Sequence, residues 1–428
     1  MLTIYTENIT SRLSYALYFI CTLREIPFQL TDDPIEFKNA LGNKLNYSDR
    51  NFESICSIKP AALLFDKQIS TFGIENKSFN GEECIAFNGI TDPLASIFYV
   101  LSRYEEYTSR STDKFDRFEA ANSILYRFGW LERVVCDRWA EAIINYLNAN
   151  GNQISFKKPD KIHFLPTFDI DNAFAYLHKG IYRTLMAIVK DFLYGNSKRL
   201  IERQKVQLGQ LKDPYDTYNA IFNLHDKGFD LRIFWLLADF NKHDRNIHYK
   251  QPFQRKLIQH VNKKIRIGIH PGMQCVDSEF ELFNEIDRLE QIVNHKISDS
   301  RQHYLMLKFP NSYRMLVSQH ITDDYTMGFA DIAGFRAGTA RPFLWFDLKK
   351  NEVTPLTVHP FSYMDGTLKE YMKLTPNEAI ETIKRLHAEV KNYGGEFSFI
   401  WHNETIGNYG AWKGWREVFE YTIQLAEN

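Results

Sequence analysis

Two carboxylates, Asp169 and Asp171, stand at i and i+2 at the end of the strand-like run 161–168. Extended backbone puts alternate side chains on one face, so the two can converge on one small volume. Converging carboxylates require a cation or a shared proton; beside a metal, one can ligate while the other stays free as a base. Further acidic and imidazole residues follow other strand-like runs. Asp239, His243 and Asp244 come after 231–238, His270 after 265–269, and His402 with Glu404 after 397–401. In a parallel barrel the C-terminal ends of the strands gather around one mouth, where residues distant in sequence meet.

The elements that must position these groups are legible as alternation. From 161 onward the strand candidates are 162–168, 231–238, 265–269, 304–307, 342–346 and 397–401. The helix candidates are 182–194, 214–227, 252–263, 279–293, 311–320 and 376–391. This pattern predicts α/β architecture with parallel strands and crossover helices, either a barrel or a doubly wound sheet. Residues 1–155 read as a separate α+β unit, leaving 156–428 for the second domain. In the first unit 61–65 is β-like, and 133–148 is helical. Asp92-Pro93 opens an amphipathic helix with a charged end at Arg103, Glu105 and Glu106. The polar stretches 148–153 and 157–160 read as the connection.

At 428 residues the chain can bury two cores. With 52 Lys and Arg against 53 Asp and Glu it has no overall positive field to gather nucleic acid or anionic lipid. The five cysteines are widely spaced and lack a C-x-x-C pair, so they read as reduced thiols. Residues 1–30 lack the pattern of a signal peptide, and no segment reaches the roughly 18 apolar residues of a membrane span. A cytoplasmic setting is expected. Lys179, Arg183 and Lys190, with Lys198 and Arg199 beyond, read as a solvated face.

The segment from 161 to about 404 resembles the polysaccharide deacetylase family of carbohydrate esterases, the NodB-homology fold, whose barrel is a distorted one. Thr167-Phe168-Asp169-Ile170-Asp171 is similar to the family's first motif, T-F-D-D, in which one Asp is the base and the next binds the metal. Ile267-Gly268-Ile269-His270-Pro271-Gly272 is similar to the second motif, whose first His is a metal ligand. Ser300-Arg301-Gln302-His303-Tyr304 or Gly334-Phe335-Arg336-Ala337-Gly338 would be the arginine motif, and Phe399-Ile400-Trp401-His402 the closing L-x-x-H. The leading region, with Leu101-Ser102-Arg103-Tyr104-Glu105-Glu106-Tyr107, is similar to an accessory domain of some Bacteroidetes-type members.

The resemblance implies a metal-dependent deacetylase, with zinc as the divalent metal, that removes N-acetyl groups from a surface polysaccharide or its sugar precursor. The carbohydrate is then its partner. Asp169 would be the base, Asp171 and His270 metal ligands, and Arg301 or Arg336 the cation beside the base. His402 would protonate the leaving amine, with a carboxylate orienting its imidazole. Two departures stand out. An extra residue separates the two aspartates, and Gln274 occupies the position of the family's second His. Catalytic zinc normally takes three protein ligands, so either His303, Glu404 or Asp239 completes the trio, with His303 preferred, or the site is weaker than usual. Asp239, Asp365, Trp401 and Glu404 are the expected substrate contacts, and Phe335 and Trp345 are further stacking candidates. Two other readings compete: a non-catalytic carbohydrate-binding or scaffold protein with a degenerate metal site, and a glycoside hydrolase working through two carboxylates.

Overall fold

The computed structural model describes residues 1–109, 111–156 and 162–427. The connection expected at 157–160 lies outside the described residues. The chain opens with a parallel sheet of β1 (Leu2–Tyr5), β2 (Phe28–Thr31) and β3 (Asn43–Asn46), with β1 in the middle. An antiparallel sheet follows, made of β4 (Ile74–Phe79), β5 (Glu82–Phe87) and β6 (Ile90–Thr91).

Asp92 caps the helix Pro93–Leu101, accepting from the backbone N–H groups of Leu94 and Ala95. The helix is not amphipathic. Every residue in it is buried, because helices Ser11–Ile20 and Val135–Ala149 and strand β5 all pack on it. The side chains of Arg103, Glu105 and Glu106 are shielded as well, and Arg103 pairs with both carboxylates, at 2.9 and 2.7 Å. Burial without such pairing would be costly. The run 61–65 forms a tight turn at Ala62–Leu64 instead of a strand. Arg12 and Thr10 donate to the carbonyls of Leu63 and Leu64, acceptors that a strand ladder would have needed.

The second part of the chain builds a mixed nine-stranded sheet. Its strands are β7 (His163–Ile170), β8 (Arg232–Trp235), β9 (Arg266–Ile269), β10 (Asp299–Ser300), β11 (Asp323–Asp324), β12 (Phe343–Asp347), β13 (Glu352–Val358), β14 (Tyr363–Met364) and β15 (Glu396–His402). The hydrogen-bonded order is β12-β13-β11-β10-β9-β8-β7-β15-β14. Every neighbouring pair is parallel except β12 with β13. Helices Pro252–Asn262, Glu279–Val293, Asn311–Ser318 and Pro376–Tyr393 make the crossovers that parallel pairing demands. Central strands covered by such crossovers are apolar along their length, as Ile233, Phe234 and Trp235 are.

Residues 304–307, expected as a strand, form a turn with Tyr304 and Leu305 in the left-handed region at φ 57° and 55°. The apolar run there signals burial only: Leu305 packs with Ala330, Phe361 and Ile400. The strand in that position is the two-residue β10, too short to carry a periodic signal.

Charge joins the residue after β13 to the first residues of β11 and β15. His359 stacks on Tyr325 and bonds Asp323 and Glu396, both at 3.0 Å. Burial opposes a charged imidazole, but those two carboxylates outweigh it and push His359 up to about 9 from its usual 6.5. Glu396 and Asp323 are driven the other way, down to about 2 against the desolvation that opposes it, by their histidine partners. The stabilisation from His359 is therefore complete below about pH 6.5 and is lost as pH rises through about 9. That from the two carboxylates is present above their ordinary range and is lost as pH falls toward about 2. Thermal midpoints should decline on both sides of this window, and His359→Gln should flatten the alkaline decline in a differential scanning fluorimetry series.

Candidate active site

Five consecutive strands of the sheet, β15, β7, β8, β9 and β10, send their C-terminal ends to one edge. The β15–β7 register sets His402 directly opposite Asp169. Asp169 closes in from β7, and Asp171 leaves one residue beyond the strand. His270 follows β9, and Arg301 and His303 follow β10. Ligand atoms of Asp171, His270 and His303 all lie within 4.8 Å of one another, a group able to hold a metal ion. Asp171 Oδ1 is 3.3 Å from His270 Nε2, and its Oδ2 is 3.4 Å from His303 Nε2.

Both imidazoles are oriented from behind. His270 Nδ1 donates to the Arg301 carbonyl at 2.6 Å, because a carbonyl can only accept. Its Nε2 lone pair is thereby turned toward Asp171. His303 Nδ1 bonds Asp244 Oδ1 at 2.7 Å, which presents Nε2 in the same direction. Asp244 is itself buried and held by Asn241 and the Met273 amide. Gly272 makes this approach possible: a Cβ there would meet Ala238 Cβ at 2.6 Å and the Asp244 carboxylate at 3.0 Å. Imidazoles anchored through Nδ1 to a carbonyl or carboxylate are the usual second layer of a metal site.

The donor set fits a divalent cation. Asp171 Oδ1 is buried with no hydrogen-bond partner, although it faces an imidazole lone pair. Two electron-rich atoms in such contact call for a cation or a proton between them. In the metal-free chain desolvation opposes ionisation of Asp171, but the charge of His303, with that of His402 further off, holds it well below the usual carboxylate range. His303 is pushed up to about 9, chiefly by Asp171 against the cost of burial. Two His nitrogens and one carboxylate oxygen suit zinc and its neighbours in the first transition row.

Beside this group sit two further devices. Arg301, fully buried, donates from Nη1 to Asp169 Oδ1 at 3.0 Å and to Thr167 Oγ1 at 2.7 Å, and from Nε to the Tyr325 carbonyl. Its guanidinium lies 4.5 Å over the Phe234 ring. On the other side His402 Nδ1 bonds Asp365 Oδ1 at 2.8 Å. Asp365 also accepts from the His402 amide and from Thr405. Desolvation disfavours the imidazolium of His402, yet Asp365, then Asp171 and Asp169, hold it well above its usual value. Glu404, near Asp171 and bonded to Tyr215, is pushed up to about 7, first by burial.

Asp169, Asp171, His270, His303, Asp365, His402 and Glu404 line one cleft of about 220 Å³, together with Tyr304, Tyr371, Trp412 and Arg117. Arg117 comes from the leading region and donates to the Tyr304 carbonyl at 2.8 Å. Several expected site residues lie elsewhere. Arg336 is committed to Glu106, its Nη2 at 2.6 Å, so Arg301 alone of the two arginines touches Asp169. Asp239 is exposed and pairs with Arg288 at 2.7 Å. Trp401 is buried against Phe419 and Tyr363, and Phe335 and Trp345 are buried too, so none offers a face to a ligand. Asp365 lines the cleft, but both its oxygens are occupied by His402, Thr405 and the Gly366 amide. Gln274 is exposed and outside the cluster, whose third member, His303, comes from the next strand end. Asp244, Trp412 and Arg117 carried no assignment in the sequence. A loop carboxylate remote in sequence from the histidine it orients has no local signature, and an isolated Trp or Arg has none either.

Residues 2–152 match a family profile described as "Family of unknown function (DUF7033)". No curated protein sequence matches the chain. Among solved structures, one from Mycobacterium smegmatis, provisionally described as a polysaccharide deacetylase, aligns at 13% identity and a TM-score of 0.40. It covers 64% of this chain and 86% of that one. A second, described as a GH138 enzyme targeting pectin rhamnogalacturonan II, aligns at 9% identity and a TM-score of 0.23. It covers 96% of this chain and 59% of that one.

Titrating the metal-free protein with Zn²⁺ or Co²⁺ should reveal one tight site with proton release, since His303 must give up its proton to ligate. Asp244→Asn should weaken binding by about 10–100-fold, whereas Gln274→Ala should leave it unchanged; calorimetry and the cobalt absorption spectrum read both.

Proposed function

We propose that the protein is a metal-dependent deacetylase that hydrolyses N-acetyl groups of a surface polysaccharide or its sugar precursor, on a distorted barrel of the deacetylase type. The observation that supports this reading best is the meeting, in one cleft, of a metal-type Asp-His-His group with an arginine-held carboxylate and an aspartate-held imidazolium. Amide hydrolysis needs a base for water, a stabiliser for the carbonyl oxygen and an acid for the amine.

Asp171, His270 and His303 would hold the ion, which we take to be zinc. A bound divalent ion supplies carbonyl polarisation and water of lowered pKa. Asp169 then accepts the proton of the attacking water, its carboxylate aimed by the Arg301 guanidinium. His402, cationic through its bond to Asp365, donates to the departing nitrogen. Asp365 acts as its positioning residue, not as a sugar contact. Glu404 carries a proton near neutrality and can donate to a sugar hydroxyl or the acetyl group from the cleft wall. Trp412, Tyr371 and Tyr304 offer apolar faces for the ring.

Asp169→Asn should lower acetate release from N-acetylated oligosaccharides by about 10²–10⁴-fold, measured on protein whose circular dichroism shows it still folded. Asp365→Asn should move the alkaline fall of kcat to lower pH, because loss of the neighbouring anion makes the His402 proton easier to lose. New reducing ends in place of acetate would favour the glycosidase reading. Metal binding without either product would favour the non-catalytic one.

A further inference from the structure

Between β7 and β8 the chain inserts a pair of helices, Ile181–Leu193 and Ser197–Gln207, whose polarity is inside out. The first helix buries a single residue, Asp191, which bonds Arg203 of the second at 2.7 Å. Its apolar side chains face water. Ile181, Tyr182, Phe192 and Leu193 are each more than 70% exposed, and Leu185 and Val189 about half. Of the twenty-two large apolar side chains left exposed among the described residues, eleven lie between 181 and 211. Scattered singly such residues need no explanation, but a contiguous patch marks a contact surface.

The same segment is strongly basic. From Lys179 to Lys212 it carries eight Lys and Arg against two acids, Asp191 and Glu202, in a chain of net charge −1. Both acids are engaged internally, Asp191 with Arg203 and Glu202 with the hydroxyls of Tyr176 and Tyr409. Lys190, Lys198 and Lys205 are exposed. The solvated face expected from the sequence is thus only the rim of an apolar one. Nor is the pair a loose appendage. Arg183 donates to the carbonyls of Asn246 and Arg245, and Asp213 accepts three amides from 175–177.

We propose that this helix pair docks on the surface of an anionic lipid bilayer, with the apolar face of 181–193 among the acyl chains and the lysines at the headgroups. A helix about 20 Å long with an apolar face and a basic border is the form of an interfacial helix. The charge selects this occupant over a second copy of the chain. An isologous contact would bring the basic segment against itself, whereas an anionic surface neutralises it. No helix among the described residues is long and apolar enough to cross a membrane, so contact is with the surface.

The full-length protein should co-sediment with phosphatidylcholine vesicles containing phosphatidylglycerol at low salt, and much less with phosphatidylcholine alone or at high salt. Lys190→Glu with Lys198→Glu should weaken binding by at least about fivefold per side chain. Leu185→Glu with Phe192→Glu should abolish it; both positions are exposed, so the thermal midpoint should not move. Wild-type protein that stays in the supernatant with anionic vesicles at low salt would overturn the proposal. So would a dimer, seen by light scattering, that Leu185→Glu with Phe192→Glu dissociates. Vesicle binding is measured without substrate, so its failure is distinct from failure of the deacetylase reading.

Discussion

Two carboxylates two residues apart, one buried and the other partly so, cannot stay ionised together unless positive charge is built around them. Around Asp169 and Asp171 that charge comes from three directions: Arg301 on Asp169, His303 on Asp171, and His402 across the strand pair. Much of the surrounding structure exists to hold those cations. Arg301 is itself deeply buried; its Nε and Nη1 bond Asp169, Thr167 and the Tyr325 carbonyl, its plane lies over Phe234, and its Nη2 has no hydrogen-bond partner. The histidines in turn need Asp244, Asp365 and a backbone carbonyl. Removing any acid from this lattice strands a base.

Adjacency along the sheet explains why the cluster forms at all. Parallel strands bring their C-terminal ends together irrespective of sequence distance, so residues from 169 to 402 become neighbours once β15, β7, β8, β9 and β10 pair in order. The leading region takes part in the result. Arg117 grips the Tyr304 carbonyl just after His303, and Glu106 holds Arg336 in a buried pair of its own. The turn carrying His303 is therefore steadied by a side chain that the sequence separates from it by almost two hundred residues.

What could be read from residues alone was what local pattern encodes. Helix Glu279–Val293 matches its periodicity to the residue, because Ser278 caps it and the apolar stripe is regular. Asp169, Asp171, His270 and His402 were visible because each ends an apolar strand. Two-residue strands such as Asp299–Ser300 and Asp323–Asp324 have no period to detect. The choice between Arg301 and Arg336 was equally closed to sequence, since it turns on Glu106, whose role is set by tertiary packing. Asp244 was noticed but passed over for Asp239. Only the Gly272 approach and the capture of Arg288 by Asp239 separate the two. Mean charge also misled: a net value near zero hid the basic segment 179–212, because the compensating acids lie elsewhere.

The cleft and the exposed helix pair share a support. The loop after β8 orients His303 through Asp244, and one residue later its carbonyls at Arg245 and Asn246 receive Arg183 of the first helix. The helix pair also begins shortly after Asp171 and is tied through Glu202 to Tyr409, beyond His402. A surface that loaded the helix pair would thus press on the loop that holds Asp244 behind His303 and on the segment that follows His402.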